Sequence, residues 1–283
     1  MRNFVLRFPN GYQKAMTFSY DDGVMQDVRL SALMKKYGVK ATFNINSFMY
    51  KNTAEPAGYL TLEELKAIAD NPQFEIACHG HTHPYYTFLP QSAVVDDIMT
   101  NRKMVEEITD SIIRGFAYPY GPYNEASEEA IKASGIVYAR TTKSTNEFEL
   151  PENWLQWHPT CHHKNSLALY DKFEAINHAV SKPQVMYVWG HTYEFDNNNN
   201  WELIEELFEK SHKNPDIWFA TNMEIYNYIN AFKSLIFSAD GSKVYNPTSM
   251  DLWAICNAYW KPDTGKVIKI PAGETVALED WEI

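Results

Sequence analysis

The stretch FEIACHGHTHP, Phe74–Pro84, joins two kinds of sequence. Phe74–Cys78 is short and mostly apolar, and reads as a strand of a parallel sheet. His79, His81 and His83 follow at once, a third of the 9 histidines in the chain. Polar, metal-competent side chains directly after a buried strand are what the C-terminal rim of a parallel α/β barrel presents. The residues alone leave open which of the three histidines would share a metal.

The neighbouring segments repeat the arrangement. KAMTFSY (Lys14–Tyr20) and VKATFNIN (Val39–Asn46) read as strands. Between them Val28, Leu30, Leu33 and Met34 have helical spacing, and Gly38 is a stop. Thr61 with Glu64 three residues on is a capping box that opens a helix. Downstream come a helix near Ser92–Thr109, a strand in GFAYP, a helix in NEASEEAIKASG and a strand at Ile136–Arg140. Residues 141–165 have no clear periodicity and read as a long, Trp-containing loop. A helix over 166–181, a strand at Val185–Trp189, a helix in NWELIEELFEKSHK, a strand at Ile217–Thr221 and a helix in NMEIYNYINAFK complete the pattern. Such alternation predicts a parallel sheet, and seven strands favour a distorted or incomplete (β/α) barrel. The chain has neither GxGxxG after its first strand nor GxxxxGK[ST], which counts against nucleotide-binding α/β folds.

The pattern changes near Ser234. Period-2 runs with turn pairs Asp240-Gly241, Asn246-Pro247 and Thr264-Gly265 replace the helical spacing. This divides the chain into a barrel domain, 1–233, and a small C-terminal all-β region, 234–283. The latter is small for an independent core and is expected to pack on the barrel or on a second subunit, so a homo-oligomer is one expectation.

Composition narrows the partners. A net charge of −11 argues against nucleic acid and anionic membranes. No apolar run reaches the length of a membrane span, and the N-terminal residues lack a secretory h-region, which points to the cytoplasm. Three widely spaced cysteines, Cys78, Cys161 and Cys256, do not form a disulfide framework. The 18 Tyr and 8 Trp suit sugar stacking and suit an ordinary core equally well.

The strand ends carry the chemistry. Asp21-Asp22-Gly23 follows the first strand, His79 to His83 the third, and Tyr118-Pro119-Tyr120-Gly121 the run GFA. Arg140 ends IVYAR, and Gly190-His191 follows VMYVW. One barrel rim would bring these distant clusters together. Singly each is weak: an Asp-Asp pair is usually a cap or turn, and a lone histidine after a strand is usually structural.

TFSYDDG, HGHTHP, AYPYG and VWGHTYEF resemble motifs one, two, three and five of the polysaccharide deacetylases, carbohydrate esterase family four with the NodB homology domain. The resemblance covers roughly residues 12–232. It implies Asp22, His79 and His83 as ligands of a divalent metal, with His81 pointing away. It also implies Asp21 as catalytic base, His191 as acid and Tyr120, beside Pro119, as oxyanion donor. Two imidazoles and a carboxylate suit Zn²⁺, with Co²⁺, Ni²⁺ or Fe²⁺ also compatible. The implied activity is removal of N-acetyl groups from an amino-sugar carbohydrate. The sequence departs from the family in two places. Ala117 stands where an Arg usually pairs with the catalytic Asp, so Arg140 is the substitute expected from the next strand. The fourth motif is not evident, and Trp154, Trp157, His162 and His163 in LPENWLQWHPTCHH are the candidates for a substrate wall.

Three rivals stand beside this reading. An HxH metal hydrolase would use His79 with His81, but such a pair normally follows the first strand, where Asp21-Asp22 already stands. A cytoplasmic NodB-like amidase would act on a small, non-polymeric amide. A carbohydrate-binding protein without catalysis would have no need of a complete set of base, ligands and acid.

Overall fold

The computed structural model describes residues 2–176, 182–258 and 265–278. Strand β1 (Arg2–Arg7) comes first, followed by β2 (Lys14–Asp21), α1 (Asp27–Tyr37), β3 (Ala41–Ile45), α2 (Leu62–Ala69) and β4 (Phe74–Cys78). Helix α3 (Gln91–Thr109), β5 (Gly115–Ala117), α4 (Glu125–Ala133), β6 (Tyr138–Arg140) and β7 (Cys161–His162) continue the alternation. Then come α5 (Ser166–Ala175), β8 (Gln184–Gly190), α6 (Tyr193–Asn198), α7 (Trp201–His212), β9 (Ile217–Phe219) and α8 (Asn222–Lys233). The C-terminal strands are β10 (Ile236–Phe237), β11 (Lys243–Tyr245), β12 (Leu252–Ala258), β13 (Lys266–Ile270) and β14 (Thr275–Ala277).

The central sheet runs β6-β5-β4-β3-β2-β8-β7, all parallel, and curls into a distorted barrel. Every residue of β2 is buried, as expected of a strand covered on both faces. One side of β2 pairs with β8. On its other side β9 is wedged against Lys14–Met16 and β3 takes over at Ser19–Asp21. The two ends of the sheet approach through Trp157: its N–H donates to the Ala139 carbonyl and its carbonyl accepts from Thr141 N–H, at 2.9 and 3.1 Å.

Helix starts and stops follow local chemistry. Thr61 and Glu64 cap α2 reciprocally, as do Thr221 and Glu224 at α8. Gly38 ends α1 at φ 67°, a conformation that favours glycine.

The structure differs from the sequence reading in several elements, the unexpected short helix α6 among them. Segment 141–165 holds β7 and short 3₁₀ turns at Trp154–Gln156 and His163–Asn165. A two-residue strand is too short to show periodicity, and only its neighbour β8 defines it. Strand β1 was not expected, because its partner β12 is almost the whole chain away. The C-terminal strands form two small antiparallel sheets, β1-β12-β13 and β10-β11-β14. Residues 177–181 of the helix expected over 166–181, and Thr264 of the third turn pair, lie outside the described residues.

The lower barrel interior is polar. Glu75 on β4 accepts from Tyr138 Oη at 2.6 Å, Thr42 Oγ1 at 2.9 Å and the α8 residue Met223 N–H at 2.8 Å. Asn222 joins Thr17 and Tyr187 to this network. Burial pushes the Glu75 carboxyl up to about 7, despite the hydrogen bonds from Tyr138, Met223 and Thr42 that favour its anion. A folded-state pKa above the unfolded one means that the native protein holds the proton longer. Stability therefore falls as pH rises from about 4.5 through about 7. Glu75→Gln is expected to flatten this part of the profile, by roughly 1–3 kcal/mol between pH 5 and 8. Urea unfolding of both proteins at the two pH values measures the difference.

Candidate active site

The C-terminal ends of β2, β4 and β8 deliver one cluster. Asp21 ends β2, and Asp22 follows at φ 78°. His79 leaves β4, and His83 sits in the left-handed region at φ 53°, as does Tyr120 after β5 at φ 61°. Among described non-glycine residues with positive φ, His83 and Tyr120 alone are neither Asn nor Asp. Asn and Asp tolerate this region, whereas other side chains pay about 1 kcal/mol or more. Backbone strain is therefore concentrated at this rim.

Asp22 Oδ1 lies 3.6 Å from both His79 Nε2 and His83 Nε2, and the two nitrogens are 3.2 Å apart. Ligand atoms about 2.0–2.2 Å from one ion stand about 3.0–3.5 Å from each other. His79 Nδ1–H donates to the Ala117 carbonyl at 2.8 Å, which leaves Nε2 with a bare lone pair facing His83 and Asp22. A donor set with a lone pair and a carboxylate turned inward fits a divalent cation. His81 is turned out of this set: its Nδ1 meets Ser47 Oγ at 2.8 Å. Asp97 braces the loop by accepting from His81 N–H, Thr82 N–H and Tyr86 Oη.

Asp21 lies beneath the triad, 2% exposed. Arg140 Nη2 reaches it at 2.5 Å and Asn44 Nδ2 at 2.8 Å. Burial pushes the Asp21 carboxyl up, but the charges of Arg140, His79 and His191 and the Asn44 hydrogen bond outweigh it and hold it below its ordinary value. Arg140 itself lies 4.6 Å from the centre of the Trp189 ring.

His191 Nε2 faces Asp21 and Asp22, each at 3.9 Å, while its Nδ1–H donates to Glu194 Oε1 at 2.9 Å. Burial lowers the His191 pKa, but Glu194, Asp21 and Asp22 reverse this and raise it. Glu194 also accepts from His162 and His163. His162, His191 and Glu194 form a second group with metal-competent atoms close together.

Arg140, 0% exposed, pairs with Asp21 from behind, in the place expected of the substitute for the missing Arg, and Pro119 is buried beside Tyr120. Two candidates for the substrate wall, Trp157 and His163, are 1 and 2% exposed. Trp157 packs on Tyr138, Trp154 and Tyr187, and His163 stacks on Phe195. Their polarity or aromaticity in an unpatterned segment suggested exposure, and the strand-like closure at Trp157 and Cys161–His162 takes them inside. The half-exposed Tyr120 ring instead lies 4.4 Å from His83 and stacks on Tyr85 at 3.9 Å. Sequence reasoning missed Asn44 and Glu194. The spacing of three between His191 and Glu194 at a helix start was the available signal for the second.

A (β/α) barrel whose C-terminal rim brings together two histidines and an aspartate that could hold a metal ion defines a class of candidate metal hydrolases. Residues 9–139, the segment carrying β2 to β6, match the family model for polysaccharide deacetylases. Over this segment, a little under half of the chain, the protein is similar to the polysaccharide deacetylases. Solved structures share the fold. A putative polysaccharide deacetylase from Mycobacterium smegmatis superposes with TM-score 0.63 at 14% identity, over 81% of this chain and 94% of that one. A family 4 acetyl xylan esterase from Clostridium thermocellum in complex with cobalt gives 0.52 at 12%, over 75% and 90%. A CE4 family pseudoenzyme from Bacillus anthracis gives 0.51 at 19%, over 78% and 67%. No curated protein sequence matches the chain.

No described helix is long and apolar enough to cross a membrane. Cys78, Cys161 and Cys256 are buried.

Proposed function

We propose that this protein is a metal-dependent deacetylase that removes N-acetyl groups from an amino-sugar carbohydrate. The observation that carries the reading is the convergence of Asp22, His79 and His83 directly above an Arg140-paired Asp21, with His191 facing both aspartates. Asp22, His79 and His83 would hold the ion, with Zn²⁺ the best match to their N and O atoms. When bound, it supplies Lewis acidity to the amide carbonyl and to water.

The chain's own residues do the rest. Asp21, kept anionic by Arg140 and Asn44, accepts the proton of the attacking water. The Tyr120 N–H, presented by its left-handed backbone, donates to the developing oxyanion. His191 gives its Nε2 proton to the departing amine, and Glu194 stabilises the imidazolium from the Nδ1 side. Acetate and a free amine leave. Residues 1–233 hold all these groups, and β12 of the C-terminal region pairs with β1.

The alternative, a small-amide hydrolase, would use the same residues and is separated by the ranking of substrates. Metal-reloaded protein should release acetate from N-acetylated chito-oligosaccharides far faster than from small acetamides. The reverse ranking would transfer the assignment to a small-amide hydrolase. Release from neither would sink both readings.

A further inference from the structure

His162 and His163 lie outside the catalytic roles given so far, yet both point at Glu194. His162 Nε2 is 2.9 Å and His163 Nε2 3.1 Å from Glu194 Oε2, while His191 Nδ1 takes the other oxygen at 2.9 Å. One carboxylate thus receives three imidazoles from two adjacent strand ends. Strands β7 and β8 pair here, with His162 opposite Trp189.

The approach is built rather than incidental. A Cβ at Gly190 would stand 2.1 Å from His163 Nδ1, so the ring reaches Glu194 only because that position is glycine. The His163 ring is buried, stacked on Phe195 at 4.2 Å and on Tyr20 at 6.0 Å, and so cannot turn away.

Glu194 sits on the six-residue helix α6. With His191 as its sole partner its side chain would remain free to change rotamer. The two added donors fix Oε2, which fixes Oε1, and Oε1 accepts only from a protonated Nδ1. His191 is then held with Nδ1–H inward and Nε2 towards Asp21 and Asp22. We propose that His162 and His163 are positioning residues that, through Glu194, set the tautomer and aim of His191. The proposal rests on the reading of His191 as the acid.

The test uses Zn²⁺-loaded, ¹⁵N-histidine-labelled full-length protein. Two-bond ¹H–¹⁵N spectra report each ring's tautomer, with His191 assigned by its loss in His191→Gln. Wild type should show His191 always protonated at Nδ1, as the imidazolium that acts as acid and, once Nε2 has given up its proton, as the Nδ1–H tautomer. The double variant His162→Phe/His163→Phe should show mixed tautomers and a kcat for acetate release lower by about 10–100-fold. KM and the zinc content should stay within twofold of wild type. The Gln/Gln variant, whose amide N–H groups reach the positions of the two Nε2–H groups, should recover most of the kcat. Glu194→Gln gives the same two readouts if the phenylalanine variant does not fold.

An unchanged tautomer and kcat in a folded variant would overturn the proposal. So would a second equivalent of Zn²⁺ that is lost in His162→Ala, since the imidazoles would then be ligands. A wild type that releases no acyl group removes the functional reading, and the tautomer readout still decides this inference.

Discussion

Replacing His79 by alanine will remove the bound metal and lower turnover by about 10³-fold or more, equivalent to at least about 4 kcal/mol of barrier. The ligand atoms come from two elements, so the remaining Asp22 and His83 cannot enclose an ion. Asp22→Asn should behave alike, because it removes the only carboxylate of the set and its charge. His81→Ala is the informative control. It lies between the two ligands in sequence but loses a hydrogen bond to Ser47, worth about 1 kcal/mol of stability, and an edge contact with the Phe48 ring. Elemental analysis with acetate release on the three variants checks the prediction. Loss of metal in His81→Ala with retention in His79→Ala would contradict the assignment and restore the HxH pairing.

The second large effect is on folding. Arg140→Met leaves Asp21 buried beneath the rim without its cation, and breaking such a pair by removing one partner costs about 3–5 kcal/mol. Asn44 remains as a donor but carries no charge. Adding Asp21→Asn to Arg140→Met should recover much of the stability, because an amide needs no counter-ion, while activity stays lost for want of the base. Urea unfolding of the two single variants and the double variant gives the coupling energy. Strict additivity would mean that the pair does not interact energetically, whatever its geometry.

What was legible in the sequence is what lies at strand ends. His79 and His83 stand out because a run of apolar residues stops at them, and Asp21-Asp22 for the same reason. Arg140 was legible by position alone, as a charge closing a buried strand. The sequence misled where side-chain chemistry was read without its surroundings: Trp157 and His163 look like contact residues, and both are buried. Glu194 went unread because its meaning lies in three histidines that only the pairing of β7 with β8 brings together. Strand β1 was hidden for a related reason, since an edge pairing across the chain leaves no local periodicity.

That pairing has a consequence for biosynthesis. Leu252–Ala258, the partner of Arg2–Arg7, leaves the ribosome about 250 residues after it. Until then the hydrogen-bonding groups of β1 have no mate, while β2, directly behind it, already belongs to the barrel. The barrel strands can assemble on the nascent chain, but the clasp between β1 and β12 closes only after about 250 more residues have been made. A stalled or shortened chain therefore exposes the same free strand edge however much of the barrel it has completed.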